Sequence, residues 1–112
     1  MITKYENFAE AKVQLINRGY KKEYTYDIQK KCCRSYGKYY SPNDLLIIEY
    51  HRFQGAQIEK NPSIIIALED STGNKGILIG HDPLIRHPSF IDFLHKVKIK
   101  LRSNTPRAMK SK

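Results

Sequence analysis

The chain has 112 residues, 40% hydrophobic and 11% aromatic, with twenty basic residues against eleven acidic ones for a net charge of +9. That is one domain's worth of chain with enough apolar content for a core, which excludes large multi-domain enzymes and wholesale disorder. No apolar run approaches the roughly 20 residues that cross a bilayer, and residues 1–10 lack the apolar centre of a signal peptide, so a soluble, cytoplasmic protein with no membrane partner is expected.

Thr3-Lys4-Tyr5-Glu6 reads as a capping box, and Tyr5, Phe8, Ala9, Leu15 and Ile16 follow at helical spacing. Gly19 supplies a left-handed position after the last turn, from which Tyr20 can pack back on Leu15. The spacing predicts a helix over 4–18, with Lys12 near the centre of its apolar stripe. Residues 23–31 alternate, Tyr24, Tyr26 and Ile28 against Thr25, Asp27 and Gln29, as a strand does. Residues 35–43 hold Gly37 and Pro42 and read as a loop, and Leu45–Phe53 is a long run rich in β-branched and aromatic residues. After a polar connection, residues 63–68 form a second buried strand. Ser71-Thr72-Gly73-Asn74 is a turn short enough to force an antiparallel return over 75–80. A loop with two prolines leads to Ser89 and Asp92, which suggest a capping box before a helix carrying Phe90, Phe93, Leu94 and Val97. Residues 97–102 fit helix or strand alike, and 103–112 read as a basic, disordered tail behind one domain over 1–102.

The order α-β-β-β-β-α predicts an α+β fold, an antiparallel sheet of three to four strands with two helices packed on one face. Ile64, Ile66, Leu68, Ile77 and Ile79 are its candidate core positions, with Ile65, Ala67 and Leu78 as the alternative register.

Cys32 and Cys33 are adjacent, too close for an unstrained disulfide, so they read as one buried and one exposed strand cysteine in a reducing compartment. His81, Asp82 and His87 share a loop but match no defensible metal spacing, and no metal or cofactor is expected. Glu49 and His51 share one side of a strand with Arg52 on the other, and no nucleophile accompanies them. Phosphate loops and nucleophile elbows are missing as well, so no catalytic residue is assigned.

The charge is unevenly spread. Residues 18–40 carry seven basic residues against Glu23 and Asp27, residues 96–112 carry seven and no acid, and the stretch between is net negative. Six of the eight tyrosines lie between Tyr20 and Tyr40. Aromatics beside cations are what single-stranded nucleic acid needs, which makes Tyr20, Lys21, Lys22, Arg34, Tyr36, Lys38, Tyr39 and Tyr40 candidate binding residues.

The runs Arg18-Gly19-Tyr20, Glu49-Tyr50-His51-Arg52-Phe53-Gln54-Gly55 and Gly73-Asn74-Lys75-Gly76-Ile77-Leu78 together resemble a family of short bacterial proteins. Its members are about this length and show a Y-R-F-E-G-like motif followed by a K-G-V-L-like strand. The likeness covers residues 5–100 and puts Gly19, Tyr20, Glu49, Arg52, Phe53, Gly55 and Gly76 at motif positions. Many members are labelled phosphoribosylpyrophosphate synthetase, so the resemblance implies phosphoribosyl-metabolism chemistry. Here Lys30 and Cys33 stand where members often show C-x-x-C, and Gln54 replaces an acid. Neither an acidic ribose-phosphate loop nor an ATP motif is present. The expected function is therefore a small non-catalytic domain that binds an unidentified protein partner or a second copy of itself, with nucleic-acid or polyanion binding through residues 20–40 and the basic tail as the alternative.

Overall fold

The computed structural model describes residues 5–53 and 62–100. Helix α1 spans Phe8–Asn17 and is followed by strands β1 (Lys22–Asp27), β2 (Cys32–Ser35), β3 (Lys38–Tyr40), β4 (Leu45–Phe53), β5 (Ser63–Asp70) and β6 (Lys75–His81). Helix α2 (Pro88–Lys96) and the two-residue strand β7 (Lys98–Ile99) complete the order. All seven strands join one curled, half-barrel-like sheet in the order β3-β2-β1-β6-β5-β4-β7. The β1–β6 and β4–β7 pairs are parallel and the others antiparallel.

This corrects the expected antiparallel sheet of three to four strands with both helices on one face. The helices lie on opposite faces. Ala11 and Leu15 of α1 pack with Ile65, Ala67 and Ile77, whereas Phe90 and Phe93 of α2 pack with Ile66, Leu68 and Leu78. A strand covered on both sides needs no polar alternation, which is why residues 64–68 are apolar without a break. Both candidate core sets are therefore inside. Their grouping changes, because Ile66 pairs with Leu78 and Ile65 with Ile79 across the β5–β6 hairpin.

Strand β3 replaces part of the expected loop over 35–43, and β2 runs up to its first residue, Ser35. Tyr36 (φ 50°) and Gly37 (φ 76°) close a two-residue hairpin in which Ser35 pairs with Lys38. Two positive φ values in a row give the turn whose twist matches paired strands. Strand β1 stops at Asp27 rather than 31, because its carboxylate accepts from the Lys30 amide (3.0 Å) and its carbonyl from the Lys31 amide (2.7 Å), turning the chain.

Helix α1 starts later than expected. Asn7 Oδ1 accepts from the Glu10 amide, and Glu10 Oε1 accepts from the Glu6 amide, both at 2.8 Å. Thr3 of the expected capping box lies outside the described residues. At the other end, Gly19 (φ 107°) sends its amide to Ile16 and Tyr20 its amide to Leu15, the paired bonds of a glycine-terminated helix. Helix α2 opens on Pro88 with His87 Nδ1 as its cap, accepting from the Ser89 amide at 3.1 Å. The expected box partners serve elsewhere: Ser89 Oγ meets the Tyr26 hydroxyl at 2.5 Å, and Asp92 pairs with Lys96 at 3.0 Å. Val97 is extended and leads into β7, so the ambiguous stretch is strand as far as Ile99. Residues 101–112, including the expected tail, lie outside the described residues. No helix among the described residues is long and apolar enough to cross a membrane.

One irregularity sets the chemistry of β4. Ile47 pairs with Leu68 and Glu49 with Ala67, so Ile48 is an extra residue, a β-bulge. Before the bulge, Leu45 and Ile47 face α2. After it, Glu49 and His51 pair with Ala67 and Ile65 on the α1 face, while Tyr50 and Arg52 pair with Ile66 and Ile64 on the α2 face.

Candidate binding cleft

The phase change at Ile48 hands Tyr50 and Arg52 to a face that α2 covers only in part. Phe90 and Phe93 anchor α2 over the far side of the sheet. Both rings stack edge-on or tilted against Tyr26 of β1, at 5.3 and 5.2 Å, and Gly80 of β6 leaves only 3.2 Å between its vacant side-chain position and the Phe90 ring. The opposite flank of α2 carries Ile91, Leu94 and His95. It faces β4 and β5 across a cleft of about 520 Å³.

Ile64 and Ile66 form its floor, Ile99 of β7 stands at its outer side, and Ile85 and Arg86 of the turn before α2 line it too. No lining residue is a carboxylate. Arg86 is already engaged: its Nε and Nη2 donate to both carboxylate oxygens of Asp82, at 2.5 and 2.7 Å. Arg52 is exposed and has no ion-pair or hydrogen-bond partner among the described residues. The cleft is thus an apolar concavity with one uncompensated, permanently charged guanidinium among its lining residues.

The residues singled out in the sequence are dispersed. Tyr20 (4% exposed) is buried in the core under α1, and Tyr40 (6%) in the core under α2, on the other side of the sheet. Neither offers a ring to a base. Lys22 is held inside by the Tyr40 hydroxyl, to which its Nζ donates at 2.6 Å, and by Asp70 at 3.4 Å. Lys21, Arg34, Tyr36, Lys38 and Tyr39 remain on the surface, with Arg34 and Tyr39 opposite one another on β2 and β3. Lys30 Nζ lies 5.3 Å from the centre of the Tyr39 ring.

Of the motif positions, Gly76 answers a packing demand. A side chain there would meet the Lys22 carbonyl at 2.4 Å, where β1 and β6 pair. Phe53 lies against the α1-face core, its ring edge-on to Phe8 at 6.3 Å, and Gly55 is outside the described residues. Glu49 lies in a cluster with Tyr5, Arg18 and His51. Arg18 donates through both Nη atoms to Glu49, at 2.8 and 2.9 Å, and through Nη1 to the Tyr5 hydroxyl at 2.7 Å. His51 Nε2 is 2.8 Å from the same carboxylate, and its ring meets Tyr5 edge-on at 4.7 Å. Burial pushes the Glu49 carboxyl up, but the bonds from Arg18 and His51 outweigh it and hold the group below its ordinary value. A carboxylate so held is a poor base at neutral pH, and none of its partners is an aliphatic hydroxyl or thiol. The cluster ties the end of α1 to β4.

Cys33 is fully buried, and burial, with Cys32 beside it, pushes its thiol up to about 12, which leaves almost no thiolate at neutral pH. Cys32 is half-buried, so neither cysteine is the exposed one expected. Among the described residues no three His, Cys, Asp or Glu side chains gather as metal ligands would.

Sequence reasoning missed the cleft because its two halves come from distant segments, joined by a bulge that no residue type announces. One signal was present. The apolar arc of α2 (Phe90, Ile91, Phe93 and Leu94) is wider than one packing stripe requires.

Compared with models of known protein families, with curated proteins and with solved structures, the chain matches none of them significantly.

Proposed function

We propose that this chain is a binding module and that the cleft between α2 and the β4–β5 part of the sheet is its working surface. The observation that carries this is that three of the seven exposed large apolar side chains among the described residues share one cleft. Tyr50 (54% exposed), Ile91 (38%) and Ile99 (57%) all line this one concavity. A solvent-facing apolar cluster around a cleft is what a ligand site presents, and the volume falls within the roughly 300–1,000 Å³ usual for small-molecule pockets. On this reading the occupant is a small ligand rather than the expected macromolecular partner. The Arg18–Glu49–His51 cluster, the other concentration of charged groups, is internally satisfied and supports no competing catalytic reading.

A neutral reporter whose fluorescence rises in apolar surroundings, N-phenyl-1-naphthylamine, tests this. Saturable enhancement at one site per chain is expected, and Ile91→Glu should abolish it by placing a carboxylate among the lining residues. Ile91 is partly exposed, so the variant should keep its melting temperature to within a few degrees, on the order of the usual effect of a surface substitution. Enhancement that is absent, or that survives intact in a folded Ile91→Glu variant, would contradict the proposal.

A further inference from the structure

The cleft's charge pattern says what it holds. We infer that its ligand is an amphiphilic monoanion, a free medium-chain carboxylate whose hydrocarbon body lies along the cleft and whose head pairs with Arg52. This rests on the cleft being the binding site and deepens that reading.

Three observations carry the assignment. The lining is mostly aliphatic: Ile64 and Ile66 below, Ile91 and Leu94 along one wall and Ile99 at the outer side, with the Phe90 and Tyr50 rings among them. A hydrocarbon body fits such a lining, whereas a polar ligand would lose hydrogen bonds to water without replacing them. The charge is single. Arg86 is neutralised by Asp82 on both oxygens, no lining residue is acidic, and Arg52 alone of the two lining guanidinium groups lacks a counter-ion among the described residues. One unpaired guanidinium balances one negative charge, and a dianionic phosphate head would bring a second. The geometry of that charge is planar. A guanidinium offers two parallel N–H donors that match the two oxygens of a carboxylate. Arg52 also stands on a strand rather than a loop, paired through β4 to Ile64 of the floor, so head and body sites keep a fixed separation.

Calorimetric titration of the full chain with hexanoate, octanoate and decanoate, below micelle-forming concentrations, provides the test, with decanol and decyl phosphate as companion ligands. Affinity should rise by about fourfold per added methylene, the ratio that follows from burying each one. Decanoate should bind about tenfold tighter than decanol, on the scale of a charged hydrogen-bonded pair, and tighter than decyl phosphate. Arg52→Gln should remove that tenfold advantage, so that decanoate binds no better than decanol. If the reporter and decanol bind but decanoate has no advantage, or the Arg52→Gln variant keeps it, the carboxylate assignment fails and the cleft reading stands. Tighter binding of decyl phosphate overturns the monoanion. If no amphiphile binds and the reporter also fails, the cleft reading falls with it.

Discussion

Asp70 is almost wholly buried at the end of β5 and still holds its charge. Burial alone would raise its carboxyl. The Thr72 hydroxyl at 2.7 Å, the Thr72 and Asn74 amides at 2.9 Å, and Lys22 outweigh that and hold it down at about 2. A folded value below the unfolded one means that the ionised form stabilises the fold. The contribution is fully present above the unfolded value, near 3.8, and is lost as pH falls towards 2. Asp70→Asn should therefore cost roughly 2 kcal/mol at pH 7, with the gap to the parent chain narrowing below about pH 4. Urea denaturation at pH 7 and pH 3 measures both, and a gap that stays constant would mean that the turn does not depend on the charge. The residue scale was partly legible. The turn over residues 71–74 and the helix-ending Gly19 follow from local rules that sequence carries. The requirement at Gly76 does not, because it comes from a parallel neighbour more than fifty positions away.

At the scale of elements, legibility followed how local each cause was. Leu45–Phe53 was read with its observed bounds because β-branched and aromatic residues run through it without interruption. Strand β3 reads as loop because Gly37 and Pro42 flank it, although Tyr36-Gly37 between short runs is also what a tight hairpin needs. That hairpin carries the surface on which the nucleic-acid alternative can be tested. Of its aromatic residues Tyr36 and Tyr39 alone stay exposed, and the Tyr39 ring is already met by Lys30. Stacking contributes about 1–3 kcal/mol per base, so a working platform would lose at least about thirtyfold in affinity when both rings are removed. With only two rings left, the double substitution Tyr36→Ala and Tyr39→Ala is expected to change single-stranded RNA binding by less than twofold in a filter or anisotropy assay at moderate salt. A fivefold or greater loss would move the functional surface to the hairpin.

For the whole molecule, two cores on opposite faces of one sheet explain both the departure from the expected fold and the position of the cleft. Composition and hydropathy reveal that a segment is buried; they do not say whether it is covered once or twice. The run over residues 64–68 reads as one buried face with a register to choose, and it is two. With seven strands in a curled sheet, a nine-residue α2 anchored over Tyr26 leaves the β4–β5 part of its face incompletely covered. The parallel β1–β6 and β4–β7 pairs were equally hidden, since pairing between segments far apart in sequence leaves no local mark. Of the basic residues over 20–40, Lys22 is held by Tyr40 and Asp70 and the others face solvent, while Arg52 stands on β4 without a partner among the described residues. The most direct test of that account is an amide NMR titration of the full chain with decanoate. Shifts should concentrate on residues 50–52, 91–95 and 99 and saturate at one ligand per chain. Shifts spread over the surface, or centred on residues 34–39, would contradict it.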